Sequence, residues 1–420
     1  MSKKNQKLII GLDIGSTKIV VTVGKILKNR IIKIIGFGKC HSQGIDNHGN
    51  IKNLKSISSC IKKAINEAEI IAECNISSIY VSISNKYIKC KNEIGIVPIY
   101  NNEVTKNDIK YAIYTAKCIK LKEGYSILHI IPQEYSIDQE HGIKNPIGLS
   151  GCRMQAKVHL ILHKHDIQKN IIKAINQCNV KIKKIIFSGI ASGQAVLKLE
   201  EKQSGVCIID IGGNNISIVI YINGSIQHSQ VIPYAGNIVT HDIAYAFNTS
   251  FDNAEKIKIK YGSKISSSLS TSEIINISTK YGISTKKIQQ NTLIEVIESR
   301  YKELFYIISN IIIHIQKKLY EKGQKYKINS GVVLTGGGSQ IKLIKKIAQK
   351  TFNMPIRIGM PKNIKTYNDQ IIHPSYSTVL GLLKYAEKKI FYKKEKHKKN
   401  TILSKIYNKL HLWYKKITKI

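Results

Sequence analysis

Arginine, proline and tryptophan are almost missing from this 420-residue chain: there are 7 prolines, 1 tryptophan, and arginines only at Arg30, Arg153, Arg300 and Arg357. The formal charge of +39 is therefore carried almost wholly by lysine. Surfaces selected for nucleic acid use the planar arginine fork heavily, so the charge reads as drift toward A/T-rich codons, and no specific nucleic-acid partner is expected. Cys-x-x-Cys pairs are absent. The 8 cysteines are scattered without histidines at zinc spacing, which excludes a disulfide framework or structural zinc and points to a reducing cytoplasm. Long apolar runs are absent too: nowhere do roughly eighteen apolar residues follow one another, so no segment spans a bilayer. The lysines at the amino terminus precede an apolar run, but Gly11 and Asp13 cut it too soon for a signal peptide.

What is present is a repeated device. Val206 to Ile222, VCIIDIGGNNISIVIYI, is an apolar strand that stops at Asp210, turns through Gly212, Gly213, Asn214 and Asn215, and resumes as a second strand. Glycines let backbone N–H groups approach an anion closely. A carboxylate beside them repels phosphate unless it holds a divalent cation or its water shell, which is how Mg²⁺ bridges carboxylates to phosphates. One copy would be ordinary turn chemistry. Leu8 to Val23, LIIGLDIGSTKIVVTV, repeats the order around Asp13, Ile14 and Gly15, about one domain length away, as expected of a duplicated fold closing on one ligand from both sides. A third piece, GVVLTGGGS from Gly331 to Ser339, ends a strand in three glycines and precedes a helical pattern, with a helix N-terminus expected behind the turn.

Hairpin, hairpin and glycine-rich strand exit, in that order, resemble the phosphate 1, phosphate 2 and adenosine motifs of the actin, Hsp70 and sugar-kinase superfamily. Ile-Pro-Gln-Glu-Tyr at 131 to 135, Gly-Ile-Lys-Asn-Pro at 142 to 146 and Gly-Leu-Ser-Gly-Cys-Arg-Met at 148 to 154 narrow the match. They resemble the inserted subdomain of FtsA, the actin-like bacterial cell-division family. Thr240-His241-Asp242-Ile243-Ala244, the SRYKEL portion from Ser299 to Leu304, and YSTVLGLL from Tyr376 resemble further FtsA stretches.

The resemblance implies an α/β chain: a duplicated actin-like ATPase fold with an inserted small α+β subdomain and a C-terminal amphipathic helix. Residues 1–84 and 166–198 would form the first half and 85–165 the insert. Residues 199–230 and 308–386 would form the second core, 231–307 a fourth subdomain, 387–401 a charged linker and 402–420 the final helix. ATP with Mg²⁺ is the implied ligand, held by Asp13, Gly15, Ser16, Thr17, Lys18, Asp210, Gly212, Gly213, Asn214, Gly336, Gly337 and Gly338. Asp13 and Asp210 would face the metal through water. Glu255 and Lys258, three apart on one helical face, resemble the superfamily's ribose and adenine contacts, with a surface ion pair as the competing account. No catalytic residue is assigned. The second hairpin has Gly-Gly-Asn-Asn where the family more often has Gly-Gly-Gly-Thr, which implies slow hydrolysis at most.

Arg300, Tyr301 and Glu303 match the part of FtsA that receives the tail peptide of FtsZ, the tubulin-like ring protein; a solvated helix face is the alternative. The insert implies filament contacts with further copies and contacts with later division proteins. Gln194 matches a water-orienting position in actin, and a solvated linker glutamine would look the same. His159, His163 and His165 invite a metal, but no carboxylate or carbonyl cage accompanies them, and strand-end histidines are expected. Ser263 to Ser278 is serine-rich and expected as a loop.

At the far end, Leu403, Ile406, Leu410, Trp413, Ile417 and Ile420 recur at helical spacing, with lysines on the opposite face. Such a helix lies in the headgroup plane, and its lysines contribute up to ~5 kcal/mol near anionic lipid. FtsA likewise ends in a linker and a membrane-targeting helix, so the expected place is the cytoplasmic face of the inner membrane at the division site. The rivals are a small-molecule kinase of the same superfamily, which needs a catalytic Asp facing a substrate pocket, and an Hsp70-type chaperone, for which too few residues follow the nucleotide core.

Overall fold

The computed structural model describes residues 8–46, 49–100, 102–262, 274–280, 285–321 and 327–392. Two sheets of the same plan carry the molecule. In the first, strands Leu8–Ile14, Lys18–Ile26 and Ile32–His41 form an antiparallel meander. Ser78–Ile83 and Lys181–Phe187 add in parallel beside Leu8–Ile14, and the short Ile364–Lys365 closes the other edge. In the second sheet, Val206–Ile211, Ile216–Ile222 and Ser225–Ile232 form the meander, and Val332–Thr335 and Ile356–Ile358 add in parallel. The shared order is the duplication expected from the repeated hairpin. Strands Val206–Ile211 and Ile216–Ile222 are buried along their whole length, which is why they read as unbroken apolar runs rather than alternating ones.

Helix Leu54–Ala72 covers the first sheet with Ile57, Ile61, Ala64, Ile65 and Ala68, the one-faced spacing of an amphipathic helix. It starts at Asn53, whose side chain accepts from Ser56 N at 3.0 Å, and ends at Glu73 in the left-handed region. Between Ser78–Ile83 and Lys181–Phe187 the chain builds a four-stranded sheet, Lys89–Pro98, Arg153–Lys164, Tyr125–Ile137 and Glu140–Ile143 in spatial order, packed on helix Lys106–Lys117. Thr105 caps that helix in a reciprocal box with Asp108. Helix Gln290–Glu321 runs unbroken for 32 residues. Residues Ile274–Ser278, expected as loop, are a strand paired with Thr285–Gln289.

Buried polar contacts hold the insert to both halves. Phe187 N donates to His129 Nε2 at 3.0 Å on the first-half side. On the other side, Gln133 Nε2 donates to Ile226 O at 2.7 Å, and His159 lies 2.6 Å from Asn92 Oδ1 and 2.8 Å from Ser229 Oγ. Burial pushes His129 and His159 down to about 3, so both are neutral wedges. No group of metal-ligating side chains exists among the described residues; His163 bonds Ser126, and His165 opens helix His165–Asn176.

A last helix spans residues 377–392 and lies against the first sheet through Val379, Leu380, Leu383 and Ala386. The linker beyond it and the stripe at Leu403, Ile406, Leu410, Trp413, Ile417 and Ile420 lie outside the described residues.

Candidate nucleotide cleft

Both hairpin tips open into one cleft of about 980 Å³ between the two sheets. Asp13 and Asp210 each sit next to last in their strands, opposite Val20 and Ser217, so the pleat turns both carboxylates to the same end of the molecule. The walls include Asp13, Gly15, Ser16, Thr17 and Lys18 from the first hairpin and Asp210, Gly212 and Gly213 from the second. Gly336, Gly337 and Gly338 face them, with Glu255 and Lys258 beside.

The cleft is electrostatically unsatisfied. Burial raises Asp13 above the usual carboxylate range, against a hydrogen bond from Ser82 Oγ at 2.5 Å and the nearby Lys18. Burial also lifts Asp210 to about 6, with Asp13 adding to the rise and a Thr378 hydroxyl at 2.9 Å opposing it. Lys18 falls to about 8, first through burial and then through Lys39. Its ammonium lies 4.1 Å from the Tyr376 ring centroid. Two desolvated carboxylates and a desolvated lysine are each held away from their charged forms. A divalent cation restores the first pair, and a polyphosphate restores the lysine.

Gly336 shows how tightly this is built. Its φ is +87°, and a Cβ there would stand 2.4 Å from Asp210 Oδ1, so only glycine admits the turn. The expected helix N-terminus behind it is instead a short 3-10 turn, Gly337–Gln340, and the helix proper starts at Ile344. The donor set fits magnesium: Asp13 and Asp210, which no third metal-ligating side chain joins among the described residues, leave most coordination positions to water. Asn215 supplies a buried side-chain oxygen without a partner among the described residues, an acceptor suited to such a water.

Two expectations change. Asn214, expected on phosphate, is a tie: its N–H donates to Ser16 Oγ at 3.1 Å, and its side chain meets Asp46 O at 3.4 Å and Asn237 Nδ2 at 2.7 Å. Its neighbour Asn215 takes the place on the wall. Tyr301, expected on a partner surface, is 0% exposed and donates its hydroxyl to Gly338 O at 3.1 Å, so a peptide on the helix surface has no access to it. Arg300 and Glu303 do remain at the surface, paired with each other, and Arg300 also grips Asp242 at 2.5 and 3.0 Å. Glu255 and Lys258 do pair, at 2.6 Å, but away from the open surface: both line the cleft, and the buried Lys258 also donates to Gly236 O at 2.9 Å and Thr240 Oγ1 at 2.6 Å. Gln194 is absent from the cleft wall.

Sequence reasoning missed Ser82, Thr378, His373 and Ser375, all of which line the cleft. The signal for His373 and Ser375 was the stretch from His373 to Tyr376, whose hydroxyl and imidazole groups precede an apolar helix.

A family model described as "Cell division protein FtsA" matches residues 207–381, and one described as "SHS2 domain inserted in FTSA" matches residues 85–162. The cell division protein FtsA of Buchnera aphidicola subsp. Schizaphis graminum is 54% identical over 413 residues, covering 98% of this chain and 99% of that one. This chain belongs to the FtsA family. FtsA of Escherichia coli strain K12 is 45% identical over 383 residues, 91% of each chain. Among solved structures, a chain of the PilM-PilN type IV pilus biogenesis complex aligns with a TM-score of 0.63 at 15% identity, covering 90% of this chain and 98% of its own. MreB5 of Spiroplasma citri bound to ADP aligns with a TM-score of 0.54 at 15% identity, covering 93% and 98%. The FtsA-family chain is thus a cell-division protein with an actin-like fold and an inserted subdomain.

Proposed function

We propose that this FtsA-family protein binds ATP with magnesium in the cleft between its two like sheets and uses the closed form to assemble as filaments on the cytoplasmic face of the inner membrane. The observation that supports it most is that Asp13, Lys18 and Asp210 line one cleft opposite Gly336, Gly337 and Gly338. Asp13 and Asp210 hold the hydrated cation, which neutralises phosphate charge when bound. Lys18, Ser16 and Thr17 face the phosphates, and Glu255, Lys258 and the Gly336 turn face the nucleoside. ATP acts as a conformational ligand with slow turnover at most.

The residues 402–420 anchor the chain on anionic lipid, Arg300 and Glu303 meet the tail of FtsZ, and the insert carries contacts with neighbouring copies and with later division proteins. Retention of ATP measured with and without Mg²⁺ tests the core of this reading: wild-type chain retains it only with the metal, and Asp210→Ala loses that dependence. Equal retention by both would refute the assignment. Sedimentation with anionic liposomes tests the anchor, since a chain ending at Tyr392 should stay in the supernatant.

A further inference from the structure

The two carboxylates receive the same hydrogen bond from different places. Strand Ser78–Ile83 lies parallel beside Leu8–Ile14 with Val81 opposite Leu12, so Ser82 stands next to Asp13 and donates to its Oδ1 at 2.5 Å. In the second sheet the residue opposite Asp210 is Thr335. Its hydroxyl is turned away, donating to Gly359 O at 3.0 Å and pairing with Ser377 Oγ at 2.7 Å. The main hydroxyl on Asp210 comes instead from Thr378, whose Oγ1 donates to Oδ2 at 2.9 Å, with Ser192 a weaker second donor. Thr378 belongs to the first turn of the helix over residues 377–392, which packs mainly on the first sheet.

We propose that Thr378 is the positioning residue of Asp210, so that the first turn of the C-terminal helix is a working part of the nucleotide site. The assignment rests on the magnesium-nucleotide reading above. A carboxylate that must accept from the waters of a cation needs its plane fixed, and a hydroxyl donor also favours the ionised form. The helix does not depend on this bond for its place: Val379, Leu380, Leu382, Leu383 and Ala386 are each 0% exposed. The hydroxyl is therefore free to serve the carboxylate. It also joins the second half's carboxylate to an element seated on the first half, so the two sides of the cleft share one hydrogen bond at the metal position.

The test titrates magnesium into the full chain at fixed ATP and measures retained nucleotide, with metal-free ATP binding and apo melting followed in parallel. Thr378→Val keeps the shape and removes the donor; the magnesium concentration required should rise by roughly 10-fold to 100-fold, while without magnesium neither the variant nor the wild type should retain ATP. Thr378→Ser should recover the wild-type midpoint. Because serine keeps the donor at the same backbone position, its recovery separates loss of the hydrogen bond from damage to the helix. An unshifted midpoint in Thr378→Val, or a Thr378→Ser as impaired as the valine variant, overturns the assignment. Wild-type retention that ignores magnesium overturns the magnesium reading itself, whatever Thr378→Val does.

Discussion

The two hairpins share order, register and carboxylate, yet they bring different chemistry. The first adds a cation, Lys18, whose ammonium reaches into the cleft under the influence of both Asp13 and Asp210. The second adds amides: Asn214 binds Ser16, Asp46 and Asn237, and Asn215 Nδ2 donates to Ser84 O at 3.2 Å. One loop supplies charge to a ligand, and the other ties the two sides of the cleft together. A duplicated fold closing on one ligand needs both, because two cationic loops would repel and two tying loops would leave phosphate charge unanswered.

The sharpest way to break this division is to remove Lys18. Lys18→Ala should cost about 3 kcal/mol of nucleotide affinity, roughly 100-fold or more, because the phosphates lose a desolvated cation on the cleft wall. Isothermal titration with Mg-ATP reads it. If Asn214→Ala costs more than Lys18→Ala, the division of labour is wrong.

Proton linkage comes next. Asp210 moves from an ordinary 3.8 to about 6 in the folded chain, so the folded state keeps its proton to higher pH than the unfolded state does. That contribution is fully present below about pH 4 and is lost as the pH rises through about 6. Asp210→Asn cannot ionise and should escape the loss. In denaturant titrations without nucleotide, the variant should gain on the wild type by roughly 3 kcal/mol between pH 4 and pH 7. A constant difference across that range would refute the buried, ligand-free charge.

The insert responds in the opposite direction. His129 and His159 fall from 6.5 to about 3 on folding, so only the unfolded chain takes up their protons as the pH drops below 6.5. Each should cost roughly 2 kcal/mol of stability at pH 5. His129→Gln and His159→Gln separate the anchor on the first half from the anchor on the second, and hydrogen exchange of Lys89–Pro98 reports which one releases the insert in acid. Smallest of all, Asn214→Ala should cost about 1 kcal/mol, about fivefold in affinity, since it removes neutral hydrogen bonds from a cleft that keeps its charges.

Much of this was readable because the punctuation was strong. Asp13 and Asp210 stand where an apolar run meets glycine, and Gly336, Gly337 and Gly338 follow directly on the strand Val332–Thr335. The choice between Asn214 and Asn215 turns on the parity of a hairpin tip, which composition does not set. Tyr301 was misplaced although Ile297, Leu304, Phe305 and Ile308 put it on the buried stripe, one position round from Arg300. Ser82 and Thr378 were invisible for a different reason. Their partners lie 69 and 168 residues away, and a serine or threonine has no local signature of what it will meet across a fold.

Gly381 stands in the middle of the last helix, where a Cβ would come within 1.8 Å of Ala191 O. Crossing at that distance leaves no room to slide: a shift of one residue would drive Leu380 or Leu382 into the backbone of helix Ser188–Val196. The helix is thus an axle set in its bearing, and a tug on the chain beyond Tyr392 must turn the whole body or be resisted by it.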